Sequence, residues 1–128
     1  MNNENPANNK SLANNQNPVL IDLSSLKKMI GSDPAKIQKF ALKFVQTAQQ
    51  GMSEIEESLK QENMAALAAL GHRTKSPART VGAMAFADMC QALEKFKDGG
   101  DIEEARQLVA RMRKLLQQIV DKINREYA

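Results

Sequence analysis

The chain has 128 residues and a formal net charge of +3, from 18 basic and 15 acidic side chains. That length holds one domain-sized core, and so small a basic excess does not by itself argue for nucleic acid. The single Cys and single His exclude an intrachain disulfide, a multi-Cys metal site and a two-His metal site, so any imidazole chemistry runs through His72. Residues 1–18 contain eight Asn, two Pro and almost nothing apolar. They cannot bury enough surface to offset their ordering entropy, and they read as a disordered Asn-rich tail or linker before a helical domain over 19–128. From Val19 onward the apolar period is helical. A short segment follows Asp22, with Leu23, Leu26 and Ile30 on one face and Gly31 at its end. Asp33-Pro34 supplies an N-cap and a proline at the first helical position. The spacing of Ile37, Phe40, Ala41, Phe44, Val45, Ala48, Met52, Ile55 and Leu59 predicts one long helix over 34–60, weakened at Gly51. Asn63 can cap a third helix whose inner face carries Met64, Leu67, Leu70, Gly71, Thr74, Ala78 and Val81, ending at Gly82. A fourth is expected over 83–97, with Ala83, Phe86, Cys90, Leu93 and Phe96 inward. Asp98-Gly99-Gly100 is a turn, and Asp101 with Glu104 forms a capping box. The last helix buries Ile102, Ala105, Leu108, Met112, Leu115, Ile119 and Ile123.

Scarce aromatics (4%) and plentiful Ala, Leu, Gln, Glu and Lys agree with helices. Short connections between long helices predict an antiparallel up-down-up-down four-helix bundle, with the short first helix as a lid across one end. No stretch approaches the roughly 18 apolar residues of a membrane span. No basic n-region precedes an apolar run near the start, so a cytoplasmic location is expected.

The third helix can be laid out at about 100° per residue with Leu67 at zero. Its apolar positions then fall within about 60° of Leu67, whereas His72 lies about 140° away. Lys75 falls near 80°, Arg79 near 120° and Ser76 near 180°, with Ala65, Ala68 and Ala69 between about 100° and 200°. The imidazole is therefore expected to project outward among small residues, beside two cations, where another protein can reach it. A neutral imidazole nitrogen is a competent nucleophile near pH 7. An ammonium one turn away can stabilise the oxygens of a transferring phosphoryl group. The sequence holds no phosphate-binding loop of the G-x-x-x-x-G-K-[ST] type, so a phosphoryl group and its metal have to come from a partner.

The stretch Ala69–Glu94, ALGHRTKSPARTVGAMAFADMCQALE, resembles the histidine phosphotransfer (HPt) domain of two-component phosphorelays. The family pattern reads approximately A-H-x-L-K-G-x-x-x-x-x-G. His72 matches the phosphorylated histidine, Lys75 the lysine three residues on, and Gly82 the glycine that ends the helix. The resemblance implies a four-helix bundle over about residues 20–127 that carries phosphoryl groups without independent turnover. It implies that Nε2 of His72 exchanges the group with an aspartate of response-regulator receiver domains, downstream of a sensor or hybrid kinase, with Mg2+ in the receiver and no cofactor on this chain. It also implies that Lys75 contacts the phosphoryl oxygens and that an acidic or amide side chain on the next helix holds the other ring nitrogen. Counting along the motif puts Glu94 there. Ala65, Ala68, Ala69, Ser76 and Arg79 would face the partner. A monomer with no membrane or nucleic-acid partner is expected.

Three positions depart from the pattern. Gly71 replaces Ala and should loosen the helix by up to about 1 kcal/mol. Ser76 replaces Gly. Pro77 removes an amide and crowds the Arg73 carbonyl, which predicts a kink or early fraying just after Lys75. A second reading therefore stays open, a helical-bundle adaptor that binds a receiver or kinase without carrying phosphate. Cys90 and the Met residues read as core, and Lys36, Lys39 and Lys43 could extend the positive field around the histidine face.

Overall fold

A computed structural model describes residues 19–127; the reading of residues 1–18 as a tail or linker lies outside them. Five α-helices follow in order: α1 Ser24–Ile30, α2 Pro34–Lys60, α3 Met64–Thr80, α4 Met84–Ala92 and α5 Ile102–Tyr127. A 3-10 turn, Leu93–Phe96, continues α4. Among the described residues there is no strand. Helix α2 packs on α3, α3 on α4, α4 on α5, and α5 closes the ring on α2. The centre is filled by Met52 and Ile55 of α2, Leu67 of α3, Phe86 of α4 and Met112, Leu116 and Ile119 of α5, all fully buried. Each such side chain contributes roughly 1.5–3 kcal/mol of apolar transfer.

The expected caps set the helix starts. Asp33 Oδ1 accepts from the Ala35 amide at 3.0 Å, with Pro34 at the first helical position. Asn63 Oδ1 accepts from the Ala66 amide at 3.1 Å. Asp101 Oδ1 accepts from the Glu103 amide at 2.9 Å. The reciprocal half of that capping box is absent, because Glu104 pairs with Lys95 Nζ at 2.5 Å instead. Glycine 82 sits at φ +75° and ends the third helix's turn. Its carbonyl accepts from the Asp22 amide at 3.1 Å, so the lead-in to α1 lies against the α3–α4 connection. Leu26 of α1 is fully buried against the bundle.

Helix α2 spans the expected residues 34–60 as one helix. Three other expectations change. Phe40 is 43% exposed rather than inward, since it lies about 80° from the centre of the stripe that runs from Ile37 to Ile55. On α5 the fully inward leucine is Leu116, with Leu115 only half-buried. Finally, α3 continues through Pro77 to Thr80 without fraying after Lys75. Pro77 stands in the last turn, and the lost amide affects only the carbonyl of Arg73, an exposed residue that water can reach. Downstream bonds close the end: Thr80 Oγ1 donates to the Ser76 carbonyl at 3.1 Å and the Ala83 amide to the Ala78 carbonyl at 2.8 Å.

Candidate functional site

Helix α3 is covered on one flank by α2 and on the other by α4 and its 3-10 turn, which leaves one strip of it open. His72 stands on that strip, with its side chain 71% exposed. A carboxylate faces the ring across the α3–α4 seam. Nδ1 of His72 lies 3.4 Å from Glu94 Oε1.

The position of Glu94 follows from the 3-10 turn. In such a turn residues three apart eclipse one another, so Leu93 and Phe96 both point into the core. Glu94 between them is held at the seam, one-third exposed. Its second oxygen, Oε2, accepts from Lys75 Nζ at 2.6 Å. The Lys75 side chain is only 16% exposed, its stem laid along the seam. One carboxylate thus bridges the imidazole and the ammonium. The bond from Lys75, reinforced by that charge and by His72, holds the Glu94 carboxyl below the ordinary glutamate value of 4.5. Glu94 therefore stays ionised in the neutral range, accepting from Lys75 and facing Nδ1 of His72. With Nδ1 facing that carboxylate, the proton is favoured on Nδ1 and the Nε2 lone pair is left free.

The remaining expected site residues fall into two groups. Ala65, Ala69, Ser76 and Arg79 are exposed. Arg79 is held toward α4 by donating to Gln91 Oε1 at 2.6 Å. Ala68 is buried at 4% exposure, not outward, because the 3-10 turn comes in over that flank of α3. It forms part of a shallow depression of about 430 Å³ lined by Ala65, Ala68, Ala69, His72, Glu94 and Lys97. Lys97 was not singled out from the sequence. The signal for it was its spacing of three from Glu94, which a 3-10 turn places on the same side; its amide donates to the Glu94 carbonyl at 3.2 Å. Lys43 lies elsewhere, in a groove on the α2–α3 seam with Gln50, Arg73 and Pro77. Among the described residues no group of three His, Cys, Asp or Glu side chains is placed to hold a metal ion.

A family model of the Hpt domain matches residues 39–122, well over half of the chain. The chain belongs to the Hpt family. Its role is histidine phosphotransfer in two-component signalling, as a phosphocarrier. The fold is also that of histidine-containing phosphotransfer protein B (HptB) from Pseudomonas aeruginosa PAO1. That crystal structure is 18% identical, with a TM-score of 0.75 over 84% of this chain and 94% of the other. No curated protein matches the chain. As an Hpt domain it has receiver domains and histidine kinases as its class of partner. No helix of the described residues is long and apolar enough to cross a membrane.

Proposed function

We propose that His72 is the phosphoryl carrier and that it exchanges the group with the aspartate of a receiver domain. Nε2 attacks phosphorus, a P–N bond forms, and the P–O bond to the receiver aspartate breaks to leave a carboxylate. The ring keeps its Nδ1 proton and becomes a phospho-imidazolium. Glu94, facing Nδ1, stabilises the positive charge that develops there. Lys75 sits one turn along α3 and can turn part of its donor capacity from Glu94 to the phosphoryl oxygens. Mg2+ would reside in the receiver, where it would neutralise the phosphoryl charge. The observation that carries this reading is the Nδ1 to Glu94 approach of 3.4 Å on a ring otherwise open to solvent.

Ala65, Ala69, Ser76 and Arg79 would form the docking rim and Ala68 its floor, with methyl groups leaving space for a partner loop beside the ring. Lys97 adds a cation at the edge. Lys36, Lys39 and Lys43, exposed on α2, would steer an acidic receiver pocket toward this side. The test is incubation with a phosphorylated receiver domain. Acid-labile phosphate is expected on the wild type and lost in His72→Gln. Equal labelling of the two proteins would overturn the assignment, as would receiver binding by the wild type with no transfer.

A further inference from the structure

Gly71, the residue before the histidine, is buried on the α3 face that meets α4. A Cβ built there would lie 2.4 Å from the Cys90 carbonyl oxygen and 2.8 Å from Leu93 Cβ. Both separations are closer than real Cβ atoms tolerate. Neither neighbour can swing aside, because one is backbone and the other is fixed to it. Any side chain at position 71 has to push the end of α4 bodily away from α3. Restoring an ordinary contact of 3.4 Å to the carbonyl oxygen takes a displacement of about 1 Å, at the lower edge of van der Waals separation.

The two residues that meet across this seam are chain neighbours of the two that would clash. His72 follows Gly71, and Glu94 follows Leu93. Their Nδ1 to Oε1 separation of 3.4 Å is already longer than the ordinary N–H···O distance of about 2.7–3.2 Å, so widening by about 1 Å more removes the contact. The other helical glycine in a seam behaves differently. At Gly51 the nearest atom to an added Cβ is the Thr74 hydroxyl oxygen at 3.1 Å, and that contact lies between α2 and α3, away from Glu94.

We propose that Gly71 is a positioning residue for His72: the absence of a side chain lets α4 approach α3 closely enough for Glu94 to hold Nδ1 and present Nε2. The proposal rests on the reading of His72 as carrier. It reverses what the residue type suggests on its own, since a glycine inside a helix ordinarily loosens it. Here it closes a seam between two helices.

The test uses the full chain, 15N imidazole NMR of His72 near neutral pH, and the rate of transfer from a phosphorylated receiver. The wild type is expected to show mainly the Nδ1–H tautomer. Gly71→Ala should shift the ring toward the mixture of a free imidazole and slow transfer on the order of 100-fold, the scale of a 1 Å misplacement at a reacting centre. Gly51→Ala should leave tautomer and rate as in the wild type. In a Glu94→Gln background Gly71→Ala should add no further slowing, because its effect passes through Glu94. A folded Gly71→Ala variant with wild-type tautomer and rate overturns the proposal. So does equal slowing in both backgrounds, which would mark general damage to the bundle. If Gly71→Ala does not fold, a wild-type ring that is mainly Nε2–H overturns it without any variant. The tautomer needs no phosphoryl transfer, so a wild type that never accepts phosphate defeats the carrier reading and leaves the positioning claim to be judged by NMR.

Discussion

Cys90 offers a quantitative check on the α3–α4 seam. Its thiol is fully buried on α4 and unpaired. Loss of hydration pushes its pKa from the ordinary 9.0 up to about 12, with the Glu94 charge adding to the effect and Lys75 opposing it. At pH 8 a thiol of ordinary pKa would be ionised to roughly one part in ten, whereas one near 12 is ionised to about one part in ten thousand. The thiolate is the reactive form, so ionisation alone slows alkylation or disulfide exchange by about 1,000-fold. Burial slows it further, because the reagent has to wait for the seam to open. The assay is reaction with an aromatic disulfide reagent at pH 8, followed with and without denaturant. The native protein is expected to react at least about 1,000 times more slowly than the denatured chain. Stoichiometric labelling of the folded protein at the denatured rate would show that the seam does not exclude solvent, and the packing behind Glu94 would fall with it.

Three further outcomes are expected. Pro77→Ala restores one amide in the last turn of α3 and should raise stability by about 1 kcal/mol in urea titrations; a lowered midpoint would mean that the proline ring makes a stabilising contact. Glu94 is held below the ordinary 4.5 by the bond from Lys75, and Glu56 likewise by the bond from Arg113, which donates its Nε at 2.9 Å. Depressed carboxylates stabilise the fold above their unfolded value and lose that contribution as pH falls through the lower folded one. The melting temperature should therefore be nearly flat from pH 7 to 5 and decline below about 4.5, and a rise on acidification would contradict the sign. Lys97→Glu reverses the charge at the edge of the histidine depression. It should slow receiver association about tenfold at low salt and much less at high salt; an unchanged rate at both ionic strengths would remove Lys97 from the docking face.

The helix starts were legible because caps are local chemistry. Asp33 and Asn63 each satisfy amides two or three residues away, and no tertiary information is needed to foresee that. The inward positions on α2 and α5 followed from period alone, except at the stripe's edge, where Phe40 and Leu115 depend on how far a neighbouring helix reaches. Glu94 could be found by counting along the motif, and its place about 80° round from Phe86 agreed. Its bond to Lys75 could not, because that depends on the 3-10 turn and on the seam width that Gly71 permits. The same turn buried Ala68 and brought in Lys97, neither of which a uniform helical wheel can represent. Pro77 was read too severely because the cost of a proline depends on how near the helix end it falls, and Gly82 had already marked that end.

The bridging carboxylate also decides how firmly a phosphoryl group would sit. In the resting site the ammonium of Lys75 and the carboxylate of Glu94 already neutralise each other at 2.6 Å, beside the His72 ring. A phosphoryl group arriving on His72 would find its one uncommitted counter-charge in the phospho-imidazolium that it creates, and would share the Lys75 ammonium with the Glu94 carboxylate. On the proposed carrier role, a deep electrostatic well would make His72 a terminus, whereas a contested cation would let the phosphoryl group leave again for a partner.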